Sequence, residues 1–316
     1  MPWNGEICSL VSAFRLAKTL GSSSDNSDFC NMKKIKLIEC PRDAMQGWKT
    51  FIPTETKIEY INKLLEVGFD TIDFGSFVSP KAIPQLADTK EVLNGLKLEN
   101  TKSKLLAIIA NVRGAEEAVQ YNEISYLGFP FSISETFQKL NTNSTIEESL
   151  KTIETIQNLC VRHNKQLVTY ISMGFGNPYD DEYSSDIAIH WVEKLSKLGN
   201  TIFSMSDTVG VSNPDNITYI FSNLVKAFPS LEFGAHFHST QETAMEKIKA
   251  AYENQCLRFD SALNGIGGCP MAQDDLVGNL ATENVLLFLE SRQIEHGLNK
   301  TALDGALNMV NRVFIH

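Results

Sequence analysis

Hydrophobic runs of five to seven residues recur along the chain from residue 35 onward, and patterned helical segments separate them. The strand-like runs are Ile35–Cys40, Thr71–Gly75, Leu105–Ile109, Ile124–Gly128, Gln166–Ser172, Thr201–Ser206, Leu231–His236 and Arg258–Leu263. Several are almost wholly apolar, as expected of parallel strands covered on both faces. Between them the apolar positions fall at helical spacing. Lys57 to Val67 places Ile58, Ile61, Leu64 and Leu65 on one face, and Ile146, Leu150, Ile153 and Ile156 mark another helix. Ser144-Thr145-Ile146-Glu147 reads as a capping box opening that helix. Asp186–Leu198, Asp215–Phe228 and Thr240–Tyr252 follow the same rule.

Eight strand-then-helix units in succession predict an α/β fold, a (β/α)8 TIM barrel. Thr282–Ser291 and Thr301–Val313 then supply the last barrel helix and additional C-terminal helices. A doubly wound open sheet is the competing architecture, but no G-x-G-x-x-G follows the first strand.

The first 31 residues break this pattern. Gly21-Ser22-Ser23-Ser24-Asp25-Asn26-Ser27-Asp28 is polar and turn-rich, behind a short amphipathic pattern over Leu10–Leu20. Residues 1–31 are therefore expected to be a disordered extension, with Met32 an alternative start, and 32–316 a single barrel domain. The extension has neither the apolar core of a secretory signal nor the acid-poor composition of a transit peptide. A cytoplasmic location is expected, with the mitochondrial matrix as the alternative.

Composition narrows the function. The chain has 316 residues and a formal net charge of −10, which disfavours nucleic acid as a partner because phosphate binding needs a basic face. No apolar run approaches the ~20 residues needed to span a bilayer. The six cysteines are scattered without a C-x-x-C pair, so a reducing compartment is expected rather than a disulfide framework.

In a barrel the chemistry gathers at the carboxyl ends of the strands. Arg42 and Asp43 follow strand one; alone they could be a surface ion pair, but here they offer a planar cation and a hard oxygen ligand. Asp73 lies in the second strand, within a run so apolar that its carboxylate needs a partner or a place at the mouth. Asp207 ends strand six, where an ordinary turn aspartate is the alternative. His236 and His238 sit at and just beyond the end of strand seven, two residues apart and so on one face of an extended chain. Such a pair can be a solvated strand face or two metal ligands. Strand eight leads to Asn264-Gly265-Ile266-Gly267-Gly268-Cys269-Pro270, a glycine loop carrying a thiol, and then to Asn279. Asp43, His236, His238 and the amide oxygen of Asn279 form a mixed N/O set suited to Mg²⁺ or Mn²⁺. Zn²⁺ and Fe²⁺ also accept two histidines and a carboxylate.

These residues resemble the 3-hydroxy-3-methylglutaryl-CoA lyase family over about residues 33–313. The anchors are Pro41-Arg42-Asp43-x-x-Gln46, Ser76-Phe77-Val78-Ser79-Pro80-Lys81, Asp207-Thr208-Val209-Gly210, His236-x-His238, Gly265-Ile266-Gly267-Gly268-Cys269-Pro270 and Gly278-Asn279-Leu280-Ala281-Thr282-Glu283. The resemblance implies metal ligation by Asp43, His236, His238 and Asn279, enolate stabilisation by Arg42, and a catalytic Cys269. It places Asp73 and Asp207 near the substrate, with Asp73 or His236 as the base, and brings Lys49 toward coenzyme A. It further implies an acyl-CoA thioester substrate, a homodimer, and a place in leucine degradation or ketone-body metabolism. Related condensing enzymes (isopropylmalate and homocitrate synthases) carry Gly-x-Gly-Glu-Arg where this chain has the Cys269 loop. A lyase for a related 3-hydroxyacyl-CoA is the nearer alternative. A catalytically idle barrel would be expected to lack a ligand residue, and all four are present.

Four departures accompany the match. Cys40 replaces a glycine, Ala44-Met45 replaces Gly-Leu, Asp73 replaces a glutamate, and Ser239 replaces an aspartate after the second histidine. The last removes an expected partner for a ligand histidine.

Overall fold

The computed structural model describes residues 34–268 and 277–314. The expected N-terminal extension and Cys269 lie outside the described residues. From Ile35 onward the described residues form one compact unit.

Eight parallel strands close into a barrel in sequential order: β1 (Lys36–Glu39), β2 (Thr71–Ser76), β3 (Lys104–Ile108), β4 (Ile124–Ser132), β5 (Gln166–Ser172), β6 (Ile202–Asp207), β7 (Glu232–Phe237) and β8 (Arg258–Ser261). Helices α1 (Pro41–Gln46), α2 (Thr54–Val67), α3 (Thr89–Asn94), α4 (Val112–Ala118), α5 (Glu135–Thr142), α6 (Ile146–Arg162), α7 (Ser185–Ser196), α8 (Pro214–Ala227), α9 (Gln241–Glu253), α10 (Thr282–Ser291) and α11 (Lys300–Val313) complete the chain. The barrel predicted from alternating runs is the fold observed.

Alternation along each strand makes two layers. Residues such as Phe203, Met205, Ala235 and Phe259 face outward and pack with the helices in the main core. Leu106, Ile108, Tyr126, Val168, Tyr170 and Ile202 form a second cluster inside the barrel.

Local differences from the sequence reading have local causes. The capping box is one residue later than predicted. Thr145 Oγ1 accepts from the Glu148 N–H at 3.1 Å, and Glu148 Oε2 accepts from the Thr145 N–H at 2.8 Å. Ser144 instead joins the hydroxyls of Thr142 and Ser149. Strand β4 runs four residues past Gly128. Its pairing with β3 stops at Gly128, so Pro130 lies where only β5 remains as a ladder neighbour, and proline is tolerated at such an edge. Strand β8 ends at Ser261, and Leu263–Gly265 forms a 3-10 turn. Arg42 and Asp43 stand on α1, which Pro41 starts immediately after β1.

Candidate active site

The carboxyl mouth of the barrel holds a cavity of ≈ 500 Å³. Arg42, Asp43, His236 and His238 line one side, and Val78, Ile83, Pro130 and Leu140 line another. The charged side is built from α1 and the end of β7, elements far apart in sequence that the closed barrel brings to one mouth with only β8 between β7 and β1.

Asp43, His236 and His238 converge. One ligand atom from each lies within 4.8 Å of the others. His236 belongs to β7, and His238 follows it by two residues, held in an antiparallel bridge with Asn279. The Asn279 side-chain amide favours the ionised form of Asp43, and its Nδ2 donates to the Ile266 carbonyl at 2.9 Å. Gly267 allows this crossing: with φ +102, a Cβ there would lie 2.6 Å from Asn279 Nδ2 and 2.8 Å from Ala44 Cα. The four residues expected to bind metal are thus adjacent. Asp43 Oδ2 is buried with no hydrogen-bond partner among the described residues, and a buried carboxylate oxygen left this way suits a cation.

Electrostatics favour the ligating forms of Asp43 and His238. Burial pushes the Asp43 carboxyl up, but Arg42, His236 and His238 outweigh it and hold it at about 2. Burial and the neighbouring His236 bring His238 down to about 4, so its imidazole is neutral near pH 7. Burial also lowers His236, but Asp260 more than offsets this and raises it. Neutral imidazole and ionised carboxylate are the forms that bind metal.

Arg42 is held on three sides. Its Nε and Nη2 donate to Asp73 Oδ2 at 3.0 and 2.5 Å, and its Nη1 donates to Asp43 Oδ1 at 2.6 Å and Gln46 Oε1 at 2.8 Å. A guanidinium has five N–H groups, so one on Nη2 remains for a ligand. Burial raises Asp73 to about 6 against the opposing pull of Arg42.

The other expected residues are placed differently. Asp207 lies on the outward register of β6, between Ser206 and Thr208, which line the cavity. Its Oδ2 accepts from Lys247 Nζ at 2.7 Å and from the Ser212 N–H and hydroxyl at 3.0 and 2.5 Å. That is the turn geometry named as its alternative. Lys49 is exposed beyond α1 and is absent from the cavity lining.

Three residues escaped the sequence reading. Asp260 faces His236 Nδ1 at 3.3 Å and accepts from Ser204 Oγ at 2.9 Å. It supplies the carboxylate partner that Ser239 no longer offers. Arg258 enters the barrel beside it, and Lys247 ties Asp207 to the Gly210 and His238 carbonyls. Arg258 and Asp260 did leave a signal, since two charges at i and i+2 in a buried strand must share one face.

An eight-stranded barrel with an Arg-Asp pair and two histidines at its carboxyl mouth is built as an enzyme barrel, with its chemistry where such barrels keep it. The HMGL-like family matches residues 34–310, and the chain belongs to that family. A hydroxymethylglutaryl-CoA lyase of Bacillus subtilis is 34% identical over 266 residues, covering 83% of this chain and 87% of that one. The human mitochondrial hydroxymethylglutaryl-CoA lyase is 33% identical over 280 residues, covering 88% and 85%. An HMG-CoA lyase from Acinetobacter baumannii, solved with coenzyme A and 3-methylmalate, superposes with TM-score 0.83 at 32% identity, covering 90% of this chain and 92% of that one. The carboxyl transferase domain of Rhizobium etli pyruvate carboxylase shares the fold alone, with TM-score 0.67 at 15% identity. Among the described residues, no helix is long and apolar enough to cross a membrane.

Proposed function

We propose that this chain cleaves 3-hydroxy-3-methylglutaryl-CoA to acetoacetate and acetyl-CoA. The observation that carries the reading is the Asp43–His236–His238 cluster, buried but for the partly exposed His236, with Arg42 beside it at the barrel mouth. Asp43, His236, His238 and Asn279 would hold a divalent cation, for which Mg²⁺ or Mn²⁺ is our assignment on the mixed N/O donors. Such a cation supplies a Lewis acid for the C3 hydroxyl and free carboxylate of the substrate.

The chain's own groups account for the rest. The C3 hydroxyl gives its proton to solvent in the cavity, its oxygen becomes the C3 ketone as the C2–C3 bond breaks, and the electron pair of that bond leaves on the acetyl-CoA enolate. The spare Nη2–H of Arg42 is available to that oxyanion, and Asp73 holds the guanidinium in place from behind. Both Asp73 oxygens face Arg42, so we assign Asp73 to orientation rather than to proton removal. His236 has one ring nitrogen toward Asp260, which leaves its other nitrogen for the cation. Protonation of the enolate carbon completes acetyl-CoA, and Cys269 is our candidate donor. Cys269→Ala is expected to lower turnover about a hundredfold while metal content stays at the wild-type level; unchanged turnover removes Cys269 from the reaction.

Acetoacetate release from the C6 thioester, assayed with and without Mg²⁺ or Mn²⁺, tests the whole reading, and no product in either case ends it. The apolar side of the cavity, Val78, Ile83, Pro130 and Leu140, favours one second reading: a 3-hydroxyacyl-CoA with a larger 3-alkyl group. A thioester panel ranked by kcat/KM separates the two. We further propose a homodimer, tested by sedimentation, in a reducing compartment such as the cytoplasm. Free, buried Cys40, Cys160 and Cys256 support that compartment.

A further inference from the structure

Arg258 and Asp260 occupy alternate positions of β8, so both side chains enter the barrel, and both are buried. Arg258 runs alongside β7, where a Cβ on Gly234 would lie 2.8 Å from its Cδ. Glycine clears its path. The guanidinium lies 5.8 Å from the Tyr126 ring centroid. Toward the amino end of the barrel, its Nη1 donates to Glu232 Oε1 at 3.2 Å, and Lys36 Nζ donates to Glu232 Oε2 at 2.6 Å. Toward the mouth, its Nε lies 3.8 Å from Asp260 Oδ1. That is too long for a hydrogen bond, so charge couples the two. Among the described residues, Arg258 Nε and Nη2 and Asp260 Oδ1 have no hydrogen-bond partner.

A guanidinium buried with unmet donors costs several kcal/mol, and barrel interiors are ordinarily filled by Val, Ile and Leu. The charges along this line alternate in sign: Lys36, Glu232, Arg258, Asp260, ending on the His236 imidazole. Asp260 has one neutral donor, Ser204, on the oxygen that faces His236. Its other oxygen is directed by Arg258.

We propose that Arg258 is a positioning residue for His236, acting through Asp260. By fixing the Asp260 carboxylate, it fixes the imidazole with Nδ1 inward and Nε2 toward Asp43 and His238. The inference rests on the metal-site reading above.

Mn²⁺ alone is the probe, titrated into the full-length protein and followed by electron paramagnetic resonance of the free ion. Arg258→Met keeps the stem and removes the charge; Mn²⁺ binding is expected to weaken about tenfold, the scale found for groups that orient metal ligands. Arg258→Lys is expected to regain most of that loss, which a purely volumetric role does not explain. Adding Arg258→Met to Asp260→Asn is expected to cost nothing beyond Asp260→Asn, because the arginine acts through the aspartate. Wild-type protein that binds no Mn²⁺ overturns the metal-site reading itself. Wild-type Mn²⁺ affinity in a folded Arg258→Met protein, failure of Arg258→Lys to recover affinity, or an additive double variant overturns the positioning role. Should Arg258→Met not fold, Glu232→Gln tests the same line from its partly exposed end. About threefold weaker binding is expected there on the same grounds, and unchanged affinity overturns the proposal.

Discussion

The two walls of the barrel interior differ in kind. From β3 to β6 the inward positions are dominated by Leu106, Ile108, Tyr126, Val168, Tyr170 and Ile202, one apolar cluster, with serines such as Ser204 and Ser206 only toward the mouth. From β7 through β8 to β1 and β2 they include His236, Arg258, Asp260, Lys36 and Asp73, linked by ion pairs. The strands are alike in direction and pairing. Each buried aliphatic side chain contributes about 1.5–3 kcal/mol, whereas buried ion pairs roughly break even against their desolvation. Stability therefore resides in the first wall, while the second gives it up to aim donors at one point.

If that division holds, substitutions on the charged side will move chemistry and spare the fold. Asp43→Ala, with both its metal and its Arg42 contact gone, should lose bound Mn²⁺ and reduce turnover by about a thousandfold or more. Metal analysis and kcat measure this, and a fully metallated, active variant would break the assignment. Arg42→Met comes next. It should lower kcat about a hundredfold to a thousandfold with metal content retained, because Asp43 keeps its histidine neighbours. Metal loss equal to that of Asp43→Ala would show that Arg42 serves the site only by orienting Asp43.

The apolar wall gives the opposite result. Leu106 is fully buried and does not line the cavity. Leu106→Ala should cost about 3 kcal/mol of unfolding free energy, read by urea denaturation, and leave Mn²⁺ affinity at the wild-type value. A shift in affinity would show that the walls are mechanically coupled.

The sequence exposed these walls unevenly. Period and run length are enough to place eight strands, because an inward-and-outward apolar strand reads as a continuous run. The gathering of Asp43, His236, His238 and Asn279 at one mouth was legible because residues of ligand type at strand ends need little context. Asp207 was not, because its direction depends on a single step of register: one position either way, Ser206 and Thr208 face the cavity. Lys247 was hidden in an amphipathic helix where a lysine reads as solvated, yet it is 1% exposed. Asp260 was obscured by the expectation that the partner of a ligand histidine would be local. Its position beside His236 comes from the β7–β8 register, which only the closed barrel defines.

Glu39 provides the smallest and most selective test. It lies between the inward-facing Ile38 and Cys40, so it projects to the outer side of β1. There it is fully buried, accepting from the Leu263 N–H at 2.8 Å and the Thr282 hydroxyl at 2.6 Å. Burial outweighs those two bonds and raises its carboxyl to about 8. The folded protein thus keeps a proton that the unfolded chain, with the ordinary value of 4.5, releases. This stabilising contribution is complete below pH 4.5 and is lost as pH rises through about 8. Between pH 7 and 8 the loss amounts to about 1 kcal/mol. Glu39→Gln should remove that slope from urea-unfolding curves measured across the interval, and it should leave Mn²⁺ affinity unchanged because Glu39 faces away from the cavity. A Mn²⁺ effect would extend the functional wall through the strand to its outer face. A persistent slope would assign the pH dependence to a group other than Glu39 and other than Asp73, which is held at about 6 and so titrates below this interval.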